Sequence, residues 1–181
     1  MYKEEEIIVL LKDPQTQKKA FSEVVSQYSE KIYWQIRKMV FDHEDANDLV
    51  QNTFIKAWNN VSNFRGDSKL STWLYRIAIN ESITFLNAQR QRNNISIDDE
   101  DVFLANKLES DEYFDGDEIL LKLQKAIALL PEKQRLVFNM RYYDELSYEE
   151  ISEILGTSIG ALKASYHHAA KKIESFLTEE H

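Results

Sequence analysis

The side chains best suited to chemistry in this sequence are cations and hydrogen-bond donors set at helical spacing. Lys69, Thr72, Arg76, Asn80, Thr84 and Asn87 recur at steps of three and four, with Arg90 and Arg92 just beyond and no acid in the series. On a helix that spacing makes one stripe, and a cationic, hydrogen-bonding stripe suits phosphates and base edges. A second cluster lies later in the chain. Residues 157–173 carry Lys163, Lys171 and Lys172, again without an acid, and His167 and His168 add donors. Adjacent helical residues point about 100° apart, so the two histidines make a poor chelating pair. Without cysteine or an HExxH pattern, no metal centre is expected. No glycine-rich phosphate loop, nucleophile elbow or pair of catalytic carboxylates stands out either. The expected chemistry is nucleic-acid recognition, with no catalysis, cofactor or small-molecule substrate.

A net charge of −9 over 181 residues argues against that at first sight. Its distribution resolves the conflict. Residues 93–118 hold one lysine against ten acids, while residues 18–92 hold eleven Lys/Arg against eight acids. The excess negative charge sits in one stretch, Asn93 to Glu118, and the rest is about neutral. Apolar residues make up 43% of the chain and charged residues 29%, a globular mix. No apolar run reaches the roughly 18 residues of a membrane span, and Met1–Glu6 is unlike a signal peptide. A protein of the bacterial or eukaryotic cytosol is expected.

Helices must position these residues. Phe21, Val24, Val25, Tyr28, Ile32, Ile36, Met39 and Val40 predict one long amphipathic helix over 16–41, after a shorter one carrying Ile7, Leu10 and Leu11. A helix over 44–59 follows, then a polar loop over 59–68, then the striped helix over 70–89. Stretch 93–118 shows no sustained period and is expected to be an acidic flexible linker with marginal short structure. Four helical pieces come after it, one of them beginning at Pro131. Ser147 and Glu150 form a capping box, Gly156 is placed to end that helix, and Thr157 or Ser158 caps a last helix reaching about Leu177. Two helices joined by a tight glycine turn, the second basic, make a helix-turn-helix. The expected fold is all-α: two small helical domains, 1–92 and 119–181, joined by linker 93–118.

The segments Asp45–Phe54, Asn63–Gly66 and Ser71–Asn80, followed by Leu130–Arg135, Leu146–Ile151 and Gly156–Lys163, resemble regions 2 and 4 of the extracytoplasmic-function group of bacterial sigma factors. That resemblance implies binding to core RNA polymerase and promoter-specific initiation of transcription. In the family the helix bearing Asp45, Asp48, Gln51, Asn52, Ile55 and Lys56 grips the polymerase clamp helices; an acid usually stands at the position of Asn52. Asn63, Phe64, Arg65, Asp67, Ser68, Lys69, Arg76 and Asn80 would meet the opened minus-ten strand. Trp73 invites a role as a melting wedge, yet its place beside Leu74 and Ile77 favours packing. Thr157, Ser158, Lys163, Ser165, Tyr166, His167 and Lys171 would read the minus-thirty-five element as duplex. Ser165, His168 and Ala170 stand where the family commonly has arginine, so fewer counterions would be released and phosphate contact would be weaker. The family also implies an anti-sigma partner, often membrane-anchored. Two rival readings remain: an operator-binding helix-turn-helix regulator that acts without polymerase, and a module that sequesters a polymerase subunit.

Overall fold

Every helix expected from periodicity forms in the computed structural model, which describes residues 3–95, 99–109 and 118–178. The first group is α1 (Glu4–Lys12), α2 (Gln17–Val40), α3 (His43–Asn60), a 3-10 turn (Val61–Asn63) and α4 (Leu70–Arg92). The second is α5 (Glu100–Glu109), α6 (Glu118–Ala128), α7 (Glu132–Tyr142), α8 (Tyr148–Leu155) and α9 (Ile159–Thr178).

Helix α2 is the spine of the first group. Its residues Val24, Ile32, Ile36 and Val40 are fully buried, one turn or two apart, and each is worth roughly 1.5–3 kcal/mol relative to exposure. Phe41 ends the helix in the left-handed region at φ 56°. That backbone strain, about 1–2 kcal/mol for a residue with a Cβ, is offset by burial of the ring. The reversal lets Asp42 cap α3 by accepting from the Asp45 N–H at 2.9 Å. Glu4 of α1 reaches two elements at once: one carboxylate oxygen accepts from the Leu70 N–H at the start of α4 (2.8 Å), the other from the Tyr28 hydroxyl (3.0 Å).

The helix-turn-helix is built as its sequence signals require. Ser147 and Glu150 satisfy each other's backbone N–H groups at 3.1 and 2.9 Å. Gly156 ends α8 at φ 63°, the conformation that favours glycine there. Between the two residues proposed as the next cap, Ser158 is the one that accepts from Ala161 N–H.

One feature departs from expectation. Stretch 93–118 is not without structure over Glu100–Glu109: α5 is a helix packed on α6, with Leu104 and Leu108 fully buried. These two leucines lie one turn apart, and Lys107 beside them bonds Asp45 of α3 at 3.1 Å. Residues 96–98 and 110–117 of the expected linker lie outside the described residues. The two groups also share one core. Leu136, Val137 and Met140 of α7, Ile151 and Ile154 of α8, and Leu162 of α9 join the same apolar cluster as α1–α4. Helix α8 lies on α4, and α7 on α2.

Candidate nucleic-acid interface

The α4 stripe is nearly as the spacing predicts. Lys69, Arg76, Asn80 and Thr84 are exposed, while Thr72 has turned into the core. In the preceding loop Asn63, Arg65 and Asp67 are exposed and Ser68 is half-buried. Phe64 corrects the expectation. Its ring is buried and lies 5.0 Å from that of Trp73, so it anchors the loop from below and offers no face to a base. Trp73 is half-buried in the same contact, in keeping with a packing role.

Neither cation of this stripe points freely into solvent. Lys69 Nζ donates to Glu150 Oε1 of α8 at 2.6 Å. Arg76 Nη2 donates to the Glu153 carbonyl of the same helix. The Lys69 pair lifts the lysine's pKa and holds the Glu150 carboxyl below its usual range, through the shared hydrogen bond first of all.

On α3, Asp48, Gln51, Asn52, Ile55 and Lys56 all lie on the exposed side. Asp45 is half-covered by Lys107, and Lys56 pairs with Glu81 of α4. Ile55 is 57% exposed, unusual for an isoleucine. Trp58 stands one turn on. One face of it lies on Phe21 at 5.1 Å, yet 39% of the residue stays exposed. It extends the apolar patch around Ile55 and was missed by sequence reasoning. Its only signal is the three-residue step from Ile55.

Helix α9 presents Lys163, His167 and Lys171 at steps of four, all exposed, with Ser158 at its start. Thr157 and Ser165 are half-buried. Tyr166 is a second correction: its ring stacks on Phe138 of α7 at 5.6 Å and 13°, so its bulk packs the domain. Two residues outside the expected set join this face. Tyr148 lies between the Arg141 guanidinium (5.4 Å) and Lys163 Nζ (5.8 Å), and cation–ring contacts of this kind hold long basic side chains in place. Arg141 is further tied to the Leu146 carbonyl at 3.2 Å. Behind the face, Arg135 is buried and donates from Nη1 to the carbonyls of Ala128 and Leu130, both at 3.0 Å.

Where the two groups meet, Lys38 and Asp144 pair at 2.6 Å with little exposure on either side. Burial nevertheless holds the Asp144 carboxyl above its usual range, outweighing Lys38. Burial also pushes the Tyr75 hydroxyl up to about 12, helped by Asp144 and Glu150.

Comparison with known proteins supports both halves. Residues 24–92 match the Sigma-70 region 2 family, and residues 120–173 match Sigma-70, region 4. The RNA polymerase sigma-H factor of Pseudomonas aeruginosa is 34% identical over 168 residues, 88% of this chain and 87% of that protein. The ECF RNA polymerase sigma factor SigW of Bacillus subtilis is 31% identical over 168 residues, 88% of this chain and 90% of that protein. In fold, the chain is similar to CnrH solved in complex with the cytosolic domain of CnrY: TM-score 0.73 at 19% identity, covering 98% of this chain and 99% of that one. A regulator that owned only the later helices would leave the match over 24–92 without a cause, and the near-complete overlap with curated relatives leaves no such remainder: this chain belongs to the extracytoplasmic-function group of RNA polymerase sigma factors.

Proposed function

We infer that this sigma factor binds core RNA polymerase, mainly through α3, and directs it to promoters whose minus-ten element meets the α4 side and whose minus-thirty-five element meets α9. The observation that carries the reading is the presence of both modules, in order, on one chain. Asp48, Gln51, Asn52, Ile55 and Lys56 would contact polymerase, with Trp58 added to the set and Asp45 at its edge. Asn63, Arg65, Asp67, Ser68, Lys69, Arg76 and Asn80 would face the opened strand. A flipped base needs a pocket with hydrogen-bond partners, and this loop has the donors and acceptors for one. Thr157, Ser158, Lys163, Ser165, His167 and Lys171 would meet duplex DNA, with Arg141 and Tyr148 beside them. Lys163, His167 and Lys171 share one side of a helix, the arrangement a recognition helix needs in a major groove.

The protein's part is non-enzymatic: polymerase performs the chemistry. An anti-sigma protein would hold the factor inactive in the cytoplasm or, if that partner is membrane-anchored, at the inner membrane. Transcript mapping tests the reading. Purified chain, core polymerase and fragmented genomic DNA should give starts that share two spaced motifs and vanish without the chain. Polymerase binding without new starts would favour a sequestering module. DNA binding without polymerase binding would favour the operator-binding regulator.

A further inference from the structure

Helix α9 turns two neighbouring rows of side chains outward, and an imidazole stands in each. Lys163, His167 and Lys171 make one row and Ala164, His168 and Lys172 the next, all of them exposed. Residues 157–173 hold no acid, and Lys163, Lys171 and Lys172 are their only fixed cations. The other two groups able to carry positive charge on this face are histidines, whose side chain ordinarily changes charge between about pH 5 and 8. A neutral imidazole releases no counterion from DNA, whereas an imidazolium on a phosphate does. We propose that α9 binds duplex DNA with uptake of protons: His167 and His168 each take a proton from solvent as they meet phosphate, which adds two cations to the three lysines of this face. This rests on the assignment of α9 to the minus-thirty-five duplex.

The surroundings leave both rings available. Among the described residues neither imidazole enters a hydrogen bond or an ion pair, and their ring contact is with each other, centroids 5.8 Å apart and planes at 59°. Helix α9 packs on α6, α7 and α8. On α8, Glu150 is committed to Lys69, while Glu149 and Glu153 are exposed. On α7, Arg141 is held by the Leu146 carbonyl and the Tyr148 ring, and Glu132 and Lys133 stand in the first turn. Helix α6 carries Glu118, Lys122 and Lys125, and α9 itself adds Glu174, one turn past Lys171. None of these groups bonds either imidazole. An opposite charge within about 4–6 Å favours the charged form of a titratable group; with no carboxylate bonded to either ring, that charge has to come from outside the chain. The spacing brings it there. Residues three or four apart on a helix are neighbours, so a phosphate gripped by Lys163, Lys171 or Lys172 lies beside His167 or His168. Adjacent positions point about 100° apart, which spoils chelation of one ion but lets the two rings meet different phosphates.

Holoenzyme would be assembled with each variant chain and titrated with a duplex that carries a mapped minus-thirty-five motif and no minus-ten element. An ordinary imidazole whose proton affinity rises tenfold on contact loses about sevenfold in binding between about pH 6 and pH 8.5, and two such groups lose about fiftyfold. The unmodified chain should show that loss. Calorimetry at about pH 7, in buffers of different ionisation enthalpy, should read about one proton taken up per duplex bound. The slope of log affinity against log salt should be steeper at the acid end by about 0.9 per imidazole. H167Q combined with H168Q should bind weakly across the range and lose both the uptake and the change of slope. H167K combined with H168K should bind tightly across the range, which separates charge from helix packing. Polymerase and His43 are common to all these holoenzymes, so the difference between chains is the readout. A paired glutamine variant that keeps the unmodified pH profile and proton uptake would overturn the proposal; if K163A still weakens duplex binding in that case, the assignment of α9 stands. If neither K163A nor the paired glutamine substitutions change duplex binding, the assignment of α9 falls, and the proton coupling with it.

Discussion

Substituting Arg135 by methionine tests how the recognition helix is held. Arg135 is 1% exposed, and its Nη1 serves two carbonyls, Ala128 and Leu130, at the end of α6. Helix C-termini leave carbonyls without intrahelical donors, and a cation there also opposes the helix dipole. Methionine keeps the apolar stem and much of the volume but offers no donor. Two charge-assisted hydrogen bonds lost at about 1.5–3 kcal/mol each give roughly 3–6 kcal/mol. Relief from burying a guanidinium offsets part of this, leaving about 2–4 kcal/mol net. With a urea slope of about 2 kcal/mol per molar for a chain of this size, the midpoint should fall by about 1–2 M. R135K should recover only part of the loss: an ammonium can also donate to two carbonyls, but it sits on a shorter stem without the planar guanidinium. Circular dichroism of the full chain in urea measures the shift, and duplex binding below the transition measures its effect on α9. A midpoint within about 0.3 M of the unmodified chain, equivalent to less than about 0.6 kcal/mol, would refute the account of Arg135 as the clasp between α6 and α7.

Two further outcomes are expected. K163A should weaken binding to a mapped minus-thirty-five duplex and reduce the slope of log affinity against log salt by about one, the signature of a lost phosphate contact; an unchanged slope would move Lys163 off the phosphate backbone. Tyr75 supplies a pH test. Its hydroxyl is raised from 10.0 to about 12 in the folded chain, by burial first and then by Asp144 and Glu150. A raised folded value means that the neutral phenol stabilises the closed fold fully below the ordinary value, a contribution lost as pH rises through about 12. Subtracting the near-ultraviolet phenolate titration of Y75F from that of the unmodified chain should isolate one tyrosine titrating late; K38E, which sets a second acid against Asp144 and opens the seam between the two groups, should bring it back toward 10. A difference curve centred near 10 in both backgrounds would contradict the burial seen at the seam.

Periodicity made the helices legible because each buries one continuous stripe. The expected span 16–41 stands against Gln17–Val40 for α2, and 44–59 against His43–Asn60 for α3. Local chemistry fixed the turn into α9, since Ser147, Glu150, Gly156 and Ser158 each satisfy or release a nearby backbone group. What stayed hidden has no local signature. Phe64 stands alone in a loop, so no period says which way its ring turns; Trp73, nine residues on, decides it. Leu104 and Leu108 make only one helical step among acids, too short a pattern to announce α5. Tyr166 has polar neighbours and looks available for DNA, but Phe138 on another helix claims its ring. The seam is the extreme case. Lys69 and Glu150 lie 81 positions apart, and nothing near either residue names the other.

The charge balance gains a physical sense from that seam. The acids in 93–118 carry an excess matching the whole chain's net charge of −9, while the carboxylate that pairs with Lys69 is Glu150 of α8. The Lys69–Glu150 pair is exposed and screened by water and salt, so α8 cannot hold α4 by charge alone. Apolar burial of Ile151 and Ile154 in the shared core supplies the rest and does not weaken with salt. DNA binding does weaken with salt, because it releases counterions from phosphate. The two competitors for Lys69 and Arg76 thus respond differently to ionic strength: rising salt should favour the closed chain over free DNA. Polymerase, by engaging the apolar patch at Ile55 and Trp58, would bring an interaction that salt does not erode. An acidic protein can then read DNA while seldom binding it unaided, and its dependence on polymerase should grow as salt is raised.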